Sequence, residues 1–293
     1  MNIFKNISKY LSLVKFAHTV FALPFALLGF FLGSAENNSH IDLKLFLLVL
    51  LCMVFARNAA MGFNRYIDRE YDKKNVRTSK REIPAGIINP ISVLIFVIIN
   101  IIGFITTTYF INELCFYLSP VAMLVVLGYS FTKRFTFLCH VVLGLGLSLA
   151  PIGAYLAVTG HFALYPVLYS FAVLFWVSGF DIFYALQDIE FDKSQNLKSI
   201  PESTGIKVAL WISAILHLLS SAIIVYVGFA FGFGFMYWIG TIIFILLLLY
   251  EHIIVKPSDL SRVNQAFATL NGMASIIFCL FVIAEIIIKY FIH

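Results

Sequence analysis

The sequence predicts an all-α, polytopic membrane protein: nine transmembrane helices in a bundle, laid out as two four-helix halves plus one further helix. Three observations lead there. Of the 293 residues, 61% are hydrophobic and 12% charged, with a mean hydropathy of +0.95, against about 25% charge in soluble domains. The apolar residues gather into windows of about 20, each long enough as a helix to span about 30 Å of hydrocarbon. No alternation of polar and apolar residues persists along them, so the period-two signature of a membrane β-barrel is absent.

The windows fall at roughly 12–34, 42–64, 88–111, 114–131, 136–159, 164–187, 207–230, 233–254 and 265–290. The first follows Lys5 and Lys9 and ends near Gly33-Ser34-Ala35, as a cleavable signal would. Its apolar core exceeds the usual run of about 7–15 residues, so it reads as a retained helix. The fourth is short and contains Pro120. Outer connections such as Gly160-His161-Phe162 and Gly232-Phe233-Gly234 are brief, whereas two inner ones, at about 64–87 and 188–206, are long and charged. Those two follow the second and sixth windows, the positions expected of a duplicated half. Residues 1–293 read as a single membrane-embedded domain. Cys52, Cys115, Cys139 and Cys279 are scattered without a CxxC pair, which supports neither a zinc site nor a disulfide framework.

Basic residues set the orientation. With the N-terminus inside, the inner segments hold Lys5 and Lys9, then Arg65 to Arg81, Lys133 and Arg134, Lys193 to Lys207, and Lys256 and Arg262, while the outer side has only Lys44 and Lys289. This is the positive-inside pattern of a plasma membrane, bacterial inner membrane in type, with both long loops facing the cytoplasm. The net charge of +5 follows from that bias and gives no reason to invoke nucleic acid.

Two acidic clusters stand at the ends of apolar windows, Asn64-Arg65-Tyr66-Ile67-Asp68-Arg69-Glu70-Tyr71-Asp72 and Asp188-Ile189-Glu190-Phe191-Asp192. On a helix, Asn64, Asp68 and Asp72 share one face, and so do Asp188 and Asp192. Facing carboxylates repel strongly at low dielectric, so the arrangement requires divalent cations or cationic side chains. Oxygen ligands favour magnesium, which completes its shell with water and substrate phosphates. Arg77, Lys80 and Arg81 follow the first cluster and Lys193 and Lys198 the second, and such bases bind phosphate charge directly. Lys73 and Lys74 read instead as juxtamembrane charge attracted to anionic lipid.

Arg57 lies two turns deeper than Asn64 on the same face, and Asp181, Tyr184 and Asp188 make a second inward stripe. Lys15 and His18 are placed to join the same expected cavity, and Lys15 equally to snorkel to the interface. Glu251, Glu285 and His217 read as helix-end or packing groups, and Tyr129 and Phe131 as an interfacial aromatic belt. A transporter is the alternative, but it would place its polar residues and helix breaks at the midplane. Here the acids cluster at one membrane face, which favours an enzyme acting on a membrane-soluble substrate with a phosphate head. Phosphatidyl transferases carry a single compact Asp/Gly motif rather than two distant ones, and an adaptor gives no reason to assemble so many like charges.

The first cluster, followed by Arg81-Glu82-Ile83-Pro84-Ala85-Gly86, resembles the NxxxDxxxD motif and downstream R-x-I/L-P-x-G element of the UbiA superfamily of intramembrane aromatic prenyltransferases. Tyr184-Ala185-Leu186-Gln187-Asp188-Ile189-Glu190-Phe191-Asp192 resembles its YxxxDxxxD motif. The stretches Lys15 to Val20 and Gly179 to Asp188 are similar to the 4-hydroxybenzoate-polyprenyltransferase-like branch, including members serving the futalosine route to menaquinone, although Glu82 stands where many 4-hydroxybenzoate enzymes have Pro. The resemblance implies Mg²⁺-dependent transfer of a polyprenyl group from its diphosphate to the ring of a hydroxylated aromatic acid, 4-hydroxybenzoate or 1,4-dihydroxy-6-naphthoate. Asp68, Asp72, Asp188 and Asp192, assisted by Asn64, would hold magnesium. Arg65, Arg77, Arg81, Lys133 and Lys198 would stabilise the leaving charge, and Tyr184 would shelter the allylic cation. Arg57, Lys15 and Arg134 are candidates for the acceptor carboxylate, with Asp181 orienting one of them or the acceptor hydroxyl.

Overall fold

The computed structural model describes residues 9–14, 21–37 and 40–292; Lys15 and His18 lie outside the described residues. All regular structure within them is helical, apart from one isolated bridge between Lys256 and Asp259. In chain order the helices are α1 Leu23–Glu36, α2 Leu43–Ile67, α3 Arg69–Lys74, α4 Pro90–Tyr109, α5 Glu113–Thr132, α6 Cys139–Thr159 and α7 Leu164–Ala185. After a 3-10 turn at Leu186–Asp188 come α8 Ile189–Ser194, α9 Ile200–Thr204, α10 Ile206–Ala230, α11 Phe235–Ile254, a π-helical turn Gln265–Leu270 and α12 Asn271–Ile287.

Eight helical stretches among the described residues are long and apolar enough to cross a membrane. The remaining expected window, the first, contains α1, which has 14 residues. At a rise of about 1.5 Å per residue that is about 21 Å, short of the hydrocarbon thickness. Among the described residues the nine windows are thus matched by eight spans and by α1, a shorter apolar helix beside Pro24 that ends at Glu36; positions 15–20 of its window lie outside the described residues. Pro120 does not interrupt α5, and Pro151 lies inside α6, as neighbouring helices in a bundle allow. Side-chain caps fix several starts: Asp42, Asn89 and Asn112 accept the N–H of Leu45, Ile91 and Cys115.

Helix α7 is central, packed between α6 and α10, while α1 lies against α6 and α12 and joins the two halves of the bundle. Close approach depends on small residues. A methyl group at Gly29 would meet the Pro151 carbonyl oxygen at 2.0 Å, and one at Gly144 would meet Ser178 Oγ at 2.4 Å. Between α1, α7, α11 and α12 lies an aromatic core of Phe25, Trp176, Phe180, Phe244 and Phe278. Outward, α4 exposes Ile91, Ile95, Ile98, Ile99 and Ile102, the apolar stripe that a lipid-facing helix requires. The rigid bundle therefore delivers the ends of α2 and α7, with their acids, to one place.

Candidate active site

Helix α2 ends at Ile67, and the backbone of Asp68 (φ −91°, ψ 5°) leaves the helical region before α3 begins. The hydrogen-bond ladder nevertheless continues: Asp68 N–H donates to Asn64 O at 2.9 Å and Asp72 N–H to Asp68 O at 2.8 Å. Asn64, Asp68 and Asp72 therefore stay on one face, and all three line a cavity of about 210 Å³. Across it, α7 tightens into the 3-10 turn that carries Asp188, and α8 carries Asp192 into the same cavity.

Each aspartate has its own base. Arg77 forks onto Asp188, Nη2 to Oδ2 at 2.5 Å and Nε to Oδ1 at 3.1 Å. Asn75 also donates to Asp188 at 3.0 Å. Arg81 Nη1 meets Asp72 Oδ1 at 2.6 Å, Lys133 Nζ meets Asp192 Oδ1 at 2.7 Å, and Arg134 Nη2 meets Asp68 Oδ1 at 3.1 Å. Ser199 Oγ donates to the other Asp192 oxygen at 3.1 Å, and Asn64 to Asp68 Oδ2 at 2.9 Å. The repulsion expected among four facing carboxylates is thus offset by four cations, two from the first long loop and two from the α5–α6 connection. Burial pushes the Asp68 carboxyl above its ordinary range, and the adjacent Asp72 adds to this against the pull of Arg134. For Lys133, burial works downward, but Asp192 prevails and holds the ammonium above its usual value.

These groups suit a hard divalent cation. The donors are all oxygen, and Asp72 Oδ2 is buried without a hydrogen-bond partner. Among the described residues no three of these carboxylates offer oxygens within 4.8 Å of one another. A cation here would draw further oxygens from water and phosphate, the habit of Mg²⁺.

A second cavity, about 490 Å³, shares Asn64, Arg77, Arg81, Tyr129, Asp181 and Tyr184 with the first and extends to Arg57, Arg65, Met61, Val177, Phe180 and Phe267. Arg57 and Arg65 each have a buried Nε without a hydrogen-bond partner. Tyr184 joins the regions: its hydroxyl takes a hydrogen bond from Arg77 Nη1 at 2.6 Å, and Phe267 stacks 4.3 Å from its ring. The inward stripes therefore meet in one connected site. Lys198 does not join them: its side chain is exposed and lines neither cavity, and its N–H bonds the Lys133 carbonyl at 2.7 Å. Tyr129, read as part of an aromatic belt, faces both cavities, whereas Phe131 is exposed. Lys73 and Lys74 are exposed. Glu285 is the helix-end group it was read as, accepting the N–H of Gly234 and Met236 where α11 begins.

His140 was not foreseen. Its Nδ1 lies 2.7 Å from Asp181 Oδ2, while Nε2 accepts the Ile200 N–H at 3.3 Å. An accepting Nε2 leaves the ring proton on Nδ1, directed at Asp181. His140 therefore orients Asp181 and ties it to the second long loop. Its sequence signal was slight, one imidazole six residues beyond Arg134 at the start of an apolar window.

A family model described as the UbiA prenyltransferase family matches residues 22–276. The 4-hydroxybenzoate octaprenyltransferase of Saccharophagus degradans is 30% identical over 240 residues, covering 81% of this chain and 79% of that protein. The enzyme of the same name from Vesicomyosocius okutanii is 29% identical over 237 residues, covering 81% and 86%. Among solved structures, an apo UbiA homologue from Aeropyrum pernix K1 superposes with a TM-score of 0.79 at 27% identity, covering 93% of this chain and 98% of that one. An Archaeoglobus fulgidus homologue bound to DMAPP and Mg²⁺ shares the fold, with a TM-score of 0.76 at 23% identity over 95% and 99%. Between transporter and enzyme, these relationships favour the enzyme. The chain belongs to the UbiA prenyltransferase family of membrane enzymes.

Proposed function

We propose that this protein transfers a polyprenyl group from its diphosphate to the ring of a hydroxylated aromatic acid, using Mg²⁺, at a site opening to the cytoplasm. One observation carries the reading: four aspartates, each matched to an Arg or Lys, surround a cavity that adjoins an aromatic and apolar one bearing two arginines with buried, unpartnered Nε atoms. Carboxylates suit the metal, bases suit the diphosphate, and the second cavity suits a carboxylated ring beside a prenyl chain. The curated relatives make 4-hydroxybenzoate the first acceptor to test, with 1,4-dihydroxy-6-naphthoate second. The positive-inside bias supports the cytoplasmic orientation.

Asp68, Asp72, Asp188 and Asp192, with Asn64, would hold Mg²⁺, which supplies positive charge to the diphosphate oxygens. Arg77, Arg81, Lys133 and Arg134 leave their aspartates and bind the departing diphosphate, bidentately where the guanidinium fork allows. As the allylic C–O bond breaks, Tyr184 and Phe267 offer π-faces to the carbocation and exclude water. Arg57 and Arg65 hold the acceptor carboxylate through the donors that lack partners. The ring carbon forms the new C–C bond, and Asp181, oriented by His140, accepts the proton that leaves that carbon.

The test is prenyl transfer by purified protein in detergent with Mg²⁺, a long-chain polyprenyl diphosphate and either acceptor, with EDTA and Asp68→Ala controls. Metal-dependent product with one acceptor assigns the reaction. Normal turnover by Asp68→Ala would reject the metal-site assignment.

A further inference from the structure

The geometry points to a second metal centre, for Zn²⁺, separate from the aspartate cavity and formed by His217 of α10 with Glu251 and His252 of α11. His217 Nδ1 lies 2.8 Å from Glu251 Oε1 and 3.0 Å from His252 Nε2. All three potential ligand atoms fall within 4.8 Å of one another. With ligand bonds of about 2.0–2.1 Å, a tetrahedral zinc site has ligand-to-ligand edges of about 3.3–3.4 Å. The two short contacts need open by only about 0.3–0.6 Å to match those edges, and the Glu251–His252 edge lies within 4.8 Å.

A proton does not satisfy this cluster. His217 Nε2 faces the Trp176 carbonyl and holds the ring proton of a neutral imidazole, so Nδ1 meets Glu251 Oε1 and His252 Nε2 as a third acceptor, and a second proton there would serve only one of the two. Glu251 Oε1 then has no hydrogen-bond partner, although its side chain is fully buried. A carboxylate in that position bears the full cost of desolvation. A cation at the common centre satisfies all three atoms together.

The outer partners are those of a ligating site. His217 Nε2 sits 3.2 Å from the Trp176 carbonyl, an arrangement that turns the Nδ1 lone pair toward the cluster. Asn271 Nδ2 donates to Glu251 Oε2 at 2.6 Å, and Trp176 Nε1 fixes Asn271 by donating to its Oδ1 at 2.6 Å. Two imidazoles and one carboxylate suit zinc, whereas the all-oxygen aspartate set suits magnesium. His252 is partly exposed, which leaves an approach for the ion and a fourth position for water. Zinc here would bind α10 to α11 and, through Asn271, to the π-helical turn that sets Phe267 against Tyr184. The role is structural.

The test uses full-length protein in detergent, stripped with EDTA, returned to excess Mg²⁺ and titrated with Zn²⁺. One equivalent should bind per chain and raise the unfolding temperature, and X-ray absorption should show imidazole scattering. Asp188→Asn, which impairs the aspartate cavity, should retain that equivalent. His217→Gln and His252→Gln should weaken it by more than about 100-fold. If His217→Gln does not fold, the partly exposed His252→Gln carries the test. Zinc lost in Asp188→Asn but kept in His252→Gln, an all-oxygen shell, or no binding by folded wild-type protein would each overturn the assignment.

Discussion

Asp68 and Asp72 follow α2 across a break, as Asp188 and Asp192 follow α7 across a 3-10 turn, and both pairs keep the four-residue spacing, yet their surroundings diverge. Asp192 is fully buried between Lys133 and Ser199, and Asp188 is gripped by both Arg77 and Asn75. Asp68 keeps 28% of its side chain exposed and meets Arg134, itself 34% exposed, through a single nitrogen. The same backbone device thus yields a fixed wall in the second half and, at Asp68, an adjustable point in the first, where Asp72 stays buried against Arg81. Buried, multiply bonded acids hold geometry, whereas the more open one can move as ligands enter and leave.

The largest effect should come from the fixed wall. Asp188→Ala removes a proposed metal ligand and frees Arg77, and turnover should fall about 10³-fold or more, against about 10²-fold for Asp68→Ala. Steady-state kinetics on matched preparations check this, and the reverse order would break the comparison. Next comes stability. Lys133→Ala leaves Asp192 buried without its cation and should cost about 2–3 kcal/mol, below the fully buried case because Lys133 is 33% exposed. Arg134→Ala should cost under about 1 kcal/mol, the ordinary value for an exposed pair. Equilibrium unfolding in detergent separates the two.

A pH series sharpens the contrast further. The Asp68 carboxyl is raised, so on acidification it takes up a proton before an ordinary aspartate does. The Mg²⁺ concentration giving half-maximal rate should climb as pH falls through that raised value, and Asp68→Asn should remove that component. The sign for folding is opposite: the native state binds this proton more tightly than the unfolded chain, so this group's contribution to stability improves as pH falls and worsens as it rises. The smallest effect belongs to Lys74, which joins the two long loops through an exposed hydrogen bond to Gln195 at 3.1 Å. Lys74→Ala should shift stability by under about 0.5 kcal/mol and leave turnover unchanged. A larger loss would mean that this contact couples the two walls.

The acids were legible in the sequence because their spacing matches a helical period and charges are scarce around them. Their partners were harder to read. Arg77 meets Asp188 across 111 residues, and Lys133 and Arg134 come from a short connection that is indistinguishable in sequence from a lipid-facing basic turn. His140 was hidden at the head of an apolar window, and His217 and Glu251 each looked like packing groups because only the fold brings α10 against α11. The spans were legible by length and apolarity.

Pairing every aspartate with a base has a kinetic consequence. A cation arriving alone would displace bases it cannot satisfy, and an anion arriving alone would displace acids in the same way. Only together do they occupy both sets, so each should raise the other's affinity by the same factor. The released diphosphate should then leave accompanied by its metal, and product inhibition should deepen as free Mg²⁺ rises.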